Sequence, residues 1–269
     1  MVISILIGLA IILYLVTGVL LGIRLSRVST AQSSKLELIA LGLIAVLLHG
    51  IVLYHWIITQ EGLNLSFFNA TSLITWLIAL LLLITALTKP VENLGIVLLP
   101  LAALTLLLEV VFPSKHIFSF AAGQGGLDAH ILISIFAASL LSIAAVQAGL
   151  LAIQEMHLHE KHPGGFIRAL PPLKTGETLL FQMISIGFVL LSLALITGAI
   201  FLENIFAQHL VHKTALSIVA WIVFAILLWG RWRFGWRGRT AIRWTLSGFF
   251  TLVLAYFGSK LVLEIILGR

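Results

Sequence analysis

Cysteine is absent from this chain of 269 residues. That excludes disulfides, thiolate metal sites, a cysteine nucleophile and thiol carriage of a substrate. Charge is scarce as well: Asp, Glu, Lys and Arg supply 10% of the residues against 61% hydrophobic ones. Mean hydropathy is +1.16, more apolar surface than a soluble domain of this length needs. A phosphate-binding glycine loop, HExxH and G-x-S-x-G are also missing, so no catalytic residue is assigned and no enzyme is expected. The opening "MVISILIGLAIILYLVTGVLLG" lacks the basic start and small-residue cleavage site of a signal peptide and reads as a first span.

What is present is a series of long apolar runs. A helix of about 20 apolar residues crosses a bilayer core. Eight such segments fall near 2–23, 37–59, 69–87, 94–112, 129–153, 179–202, 214–230 and 244–267. The runs are continuous, whereas a β-barrel would alternate. The expected fold is all-α: a polytopic membrane helix bundle of about eight spans, forming one integral membrane domain over 1–269. Pro90, Pro113, Pro171 and Pro172 fall in connections. Pro100 falls inside the fourth span, where a proline can kink a helix.

Lys and Arg are distributed unevenly. Arg24, Arg27, Lys35, Lys89, Lys161, Arg168, Lys174, Arg231, Arg233, Arg237, Arg239 and Arg243 lie in the odd connections, leaving only Lys115, Lys213, Lys260 and Arg269 elsewhere. The positive-inside rule then places both termini outside and the odd connections in the cytoplasm. This distribution accounts for the pI near 10.0 without nucleic acid as a partner.

With that orientation, the outer half of the spans collects His55, Glu109, Asp128, His130, Glu203, His209, His212, Lys260 and Glu264. Polar groups in a membrane are costly, so their depth carries information. Alternatively, each marks a span end at the headgroups. Lys260 and Glu264, four apart, can pair on the last helix. His130 opens the fifth span, where it either caps the helix or offers a neutral imidazole to a metal or haem iron. His49, near the middle of the second span, needs a buried partner. His209 and His212 are three apart in "FLENIFAQHLVHKT" and would share a helix face. In the long inner connection 154–178, "HLHEKH" reads as a solvated stretch; between the last two spans, "WGRWRFGWRGRTAIRW" reads as an aromatic belt with headgroup contacts. The outer connection 113–128 is glycine-rich and suggests a mobile or tightly turned loop.

Several segments resemble the cytochrome c assembly transmembrane superfamily, the CcsA and CcmC type of haem-handling proteins, and within it the YpjD/HemX-like branch. They are "LLHGIVLYHWI", "DAHILISIFAASLLSIAAVQAGLLAIQE", "LPPLKTGETLLFQMISIGFVLLSLALITGAIF" and, most specifically, "GWRGR" and "AYFGSK". The likeness is strongest over about 36–267. It implies an inner-membrane protein of bacteria that handles haem. In such relatives a tryptophan-rich outer loop ending in Asp cradles haem, and external histidines ligate it. The first of those histidines corresponds to His130. The loop corresponds to "FLENIFAQHLVHKT", which holds neither Trp nor Asp, and a family histidine in the following span corresponds to about Trp229.

The expected function is therefore to bind or influence haem at the outer half of the bundle, without the attachment platform. His130 is one axial ligand, with His212, His209 or His55 as the second. No metal site is expected beyond the haem iron. The first alternative, implied by HemX-like relatives linked to control of tetrapyrrole synthesis, is a non-catalytic regulator that meets a membrane or cytoplasmic protein through loops 154–178 and 230–243. A small-molecule transporter is the second alternative, to which only His49 and Pro100 point. The lipid bilayer is the remaining partner.

Overall fold

The computed structural model describes residues 2–26, 34–59, 62–113, 117–119, 125–159, 170–201 and 208–258. Eight α-helices follow in chain order: α1 (Val2–Ser26), α2 (Lys35–Ile57), α3 (Phe67–Thr88), α4 (Gly95–Val111), α5 (Gly125–His159), α6 (Leu173–Phe201), α7 (Gln208–Phe234) and α8 (Gly238–Val253). Seven of them are long and apolar enough to cross a membrane. The α8 helix runs on into a π-turn, Leu254–Gly258. The protein is a polytopic helical membrane protein, as the apolar runs predict. One addition is a small antiparallel sheet of β1 (Ile58–Thr59), β2 (Gly62–Asn64) and β3 (Ile117–Ser119). The β3 strand lies in the connection expected to be a glycine-rich loop.

The chain divides into two compact units: residues 1–121 with 163–171, and residues 122–162 with 172–269. In the first, α1 packs on α2 and α4, and α3 packs on α2 and α4. Small residues permit these approaches, as membrane helix interfaces require. A Cβ on Gly18 would stand 3.1 Å from Pro100, one on Gly42 2.9 Å from Leu83, and one on Gly95 2.7 Å from Leu21. Pro100 lies inside α4, which continues through it. Ser34 and Glu37 form a reciprocal capping box at the start of α2. Lys35 pairs with Glu92 at 3.1 Å and also donates to the Lys89 carbonyl.

In the second unit, α5 packs on α6 and α8, and α7 packs on α6 and α8. The buried face of α6 includes Gly176, Leu180, Met183, Gly187, Leu191, Ala194 and Gly198. Steps of three and four residues keep these on one stripe. Leu141 of α5 fills the notch at Gly187, and Leu151 the one at Gly176. Gln147 adds a polar contact by donating to the Gly176 carbonyl at 3.3 Å.

Candidate functional site

His130 sits in the second turn of α5, half-buried against the last third of α6. Its Nδ1 lies 2.9 Å from the Ala194 carbonyl and 3.2 Å from Thr197 Oγ1. A carbonyl can only accept, so Nδ1 carries the proton. The Thr197 hydroxyl donates to Leu193 O at 2.8 Å, which leaves its oxygen free to accept from the imidazole. In the neutral ring Nε2 is then the unprotonated nitrogen. A histidine whose one nitrogen donates to a carbonyl while the other keeps a lone pair is arranged as a metal ligand. One axial imidazole for haem iron fits this donor set.

His209 and His212 lie on the first turns of α7, which starts at Gln208. Both are helical, as their spacing predicts; the helix begins ahead of the span expected at 214, within the segment that the family resemblance assigns to a loop. Their side chains lie outside the described residues. Trp221 fixes the level of α7 against α6: its Nε1 donates to Ser192 Oγ at 2.8 Å, and its ring stacks on Phe188 at 5.4 Å. At about 1.5 Å per residue, the His212 backbone lies roughly 13.5 Å from that level toward the start of α7. Ala194 and Thr197 lie about 3 and 7.5 Å from it toward the end of α6, the same direction in this antiparallel pair. His212 therefore stands one to two turns past the His130 anchor, and His209 almost a further turn. The fourth candidate, His55, is exposed near the end of α2 in the first unit.

His49 is fully buried and partnered on both ring nitrogens. Nδ1 lies 3.2 Å from the Tyr14 hydroxyl and Nε2 2.9 Å from Ser72 Oγ. It is the satisfied core histidine that its mid-span position predicts. Glu109, read either as an outer-half polar group in the bundle or as a span end at the headgroups, is fully buried, which rules out the headgroup position. Lys260, Glu264 and Glu203 lie outside the described residues.

The inner connection also differs from expectation. The α5 helix runs through His157 and His159, and α6 begins at Leu173, so these two histidines are helical rather than in a loop. His162 lies outside the described residues. The aromatic and basic run is mostly helix, broken only at Gly235–Arg237. Gly235 N donates to the Arg231 carbonyl, an αL stop with Gly235 at φ 65°, and Trp236 N donates to the Gly230 carbonyl. Gly238, at φ 52°, starts α8 and donates its N–H to Glu177 Oε1 at 2.7 Å. Glu177 is not recognisable from the sequence, because an acidic residue that meets the start of a distant helix leaves no local pattern. An open cavity of about 460 Å³ adjoins this turn, with Leu151, Glu155, Glu177, Arg237 and Arg239 in its wall.

A family model described as cytochrome C assembly protein matches residues 37–267. The chain belongs to that family. The inner membrane protein YpjD of Escherichia coli strain K12 is 38% identical over 229 residues, covering 83% of this chain and 85% of its own. An uncharacterized protein of Azospirillum brasilense is 34% identical over 144 residues, 53% of each chain. The cytochrome c biogenesis protein CcsA of Prochlorococcus marinus strain MIT 9515 is 36% identical over 84 residues, 30% of this chain and 27% of its own. No solved structure matches. This member of the family is a multi-pass protein of the bacterial inner membrane.

Proposed function

We propose that the second unit binds or influences haem through His130. The observation that carries the reading is the anchoring of Nδ1 on Ala194 and Thr197, which directs the free lone pair to Nε2. Membership of the cytochrome c assembly family supports the same chemistry. Haem would supply an iron that takes axial imidazoles. This chain's residues would hold His130 in one tautomer and keep the α5–α6 contact tight. His212 is the favoured second ligand, since its backbone lies nearer the His130 level than that of His209. The Lys and Arg distribution supports placing this end of the unit on the outer side of the membrane.

Absorption spectroscopy of protein purified after expression with ample haem supply tests the reading. The wild type is expected to show a bis-imidazole spectrum that His130→Ala abolishes. Wild-type protein that carries no haem under those conditions overturns it.

A second reading is favoured by the cavity at the α7–α8 turn. Arg239 lies 3.6 Å from Glu155 there and is largely exposed. This surface joins the segments 154–178 and 230–243, through which a regulated protein partner would dock. Pull-downs unchanged by substitutions in both segments would count against it.

A further inference from the structure

The first unit contains a graded line of polar side chains. Glu109 stands two residues from the end of α4, Ser72 five residues into α3, His49 eight residues from the end of α2, and Tyr14 twelve residues into α1. At about 1.5 Å per residue these are depths of roughly 3, 7.5, 12 and 18 Å from the same side of the antiparallel bundle. In a hydrocarbon core of about 30 Å, the line runs from one face to the middle. Tyr14, His49 and Ser72 are joined by hydrogen bonds along the line. Both Glu109 carboxylate oxygens are buried beside Ser72 without a hydrogen bond among the described residues. Past Tyr14 the seam closes. The Thr17 hydroxyl turns back to Leu13 O, and the notches at Gly18, Gly42 and Gly95 are filled by Pro100, Leu83 and Leu21.

We propose that Glu109 is a buried proton-binding site, coupled through Ser72 and His49 to Tyr14 at mid-span. An ionised carboxylate cannot remain unpaired in this surrounding, and no cation faces it among the described residues. Among the described residues, the titratable groups that face the seam are Tyr14 from α1, His49 from α2 and Glu109 from α4, with none from α3. Arg24, Lys35, Glu37, Lys89 and Glu92 sit at the opposite helix ends, and Tyr54 and His55 are exposed. Close packing of the seam favours a proton over a hydrated ion.

The line has two hydrogen-bonding states. With Glu109 ionised, Ser72 donates to the carboxylate, His49 Nε2–H donates to Ser72 Oγ, and the Tyr14 hydroxyl donates to Nδ1. With Glu109 protonated, its O–H donates to Ser72 Oγ, which still accepts from His49 Nε2–H, the Ser72 hydroxyl hydrogen turns away from the carboxyl, and the Tyr14 hydroxyl still donates to Nδ1. The second state holds one more proton than the first, which comes from water and resides on Glu109. No proton leaves His49 or Tyr14, so the tautomer stays fixed and the strength of the His49 Nε2–H bond to Ser72 reports the charge on Glu109. The site ends at the bilayer middle and reaches only one face, so it loads a proton without passing it across.

Infrared difference spectra of the full-length protein in lipid, recorded across pH, together with nitrogen-15 histidine spectra, test this. A carboxylic acid C=O band is expected to appear on acidification and to vanish in Glu109→Gln. The band is expected to shift in Ser72→Ala, and the His49 Nε2 nitrogen-15 resonance to move with the band while the tautomer is kept. The proposal is overturned by a band that is present at every pH, by one indifferent to Glu109→Gln, or by a titration that leaves His49 unchanged. Should Glu109→Gln fail to fold, Ser72→Ala decides: an unshifted band overturns the proposal.

Discussion

Replacing Gly187 by Ala probes the contact that holds α5 and α6 in register beneath His130. The new Cβ would lie 2.8 Å from both Leu141 Cδ2 and Cγ, well inside ordinary contact distance. Leu141 is fully buried, so it has little room to give way. Overpacking of this kind costs about 1–3 kcal/mol, while Ala gains about 1 kcal/mol over Gly in helix propensity. The single variant is therefore expected to be neutral to destabilised by about 2 kcal/mol. In a Leu141→Ala background the obstruction is gone, and a cavity costing about 2–5 kcal/mol lies open. There the added methyl group fills space and raises helix propensity, so the same substitution is expected to stabilise by about 1 kcal/mol. Equilibrium unfolding of the four proteins in mixed micelles gives the cycle. Additivity within about 0.5 kcal/mol would refute the argument, because independent sites behave that way.

Two further outcomes follow from the hydrogen bonds. Tyr14→Phe removes the partner of His49 Nδ1 and is expected to cost about 0.6–1.7 kcal/mol, the range for interhelical bonds in membranes; unfolding in micelles that matched wild type would show that the pair contributes nothing. Thr197→Val removes one of two acceptors of His130 Nδ1 and leaves the Ala194 carbonyl. It is expected to weaken haem by at most about 10-fold, the low end for lost ligand-orienting contacts. A haem titration in which this variant behaved like His130→Ala would show that Thr197, not the carbonyl, sets the ring.

The eight helices were legible because lipid permits only continuous apolar runs with their backbone bonds satisfied internally. Helix ends were less legible. The α5 helix extends through His159 and α7 begins at Gln208, since a helix can carry polar turns beyond the apolar core. His130 was visible as a polar residue at a span mouth, but its anchor was not. Ala194 offers a carbonyl, which every residue has, and it is 64 residues away. The "GWRGR" segment stood out as a motif, and its cause proved to be backbone geometry. Gly235 and Gly238 take positive φ, and Trp236 packs where a Cβ on Gly230 would clash.

Composition and periodicity alone determined that this chain lives in a membrane, that it is helical, and roughly where each span lies. These follow from local hydrophobicity and the backbone's need for hydrogen bonds. Tertiary structure decided which polar groups meet. Glu109 and His55 both read as outer-half residues, yet one is fully buried beside Ser72 and the other exposed. That difference depends on which face of each helix meets a neighbour, and a nearly all-apolar helix carries too little contrast between its faces to announce it.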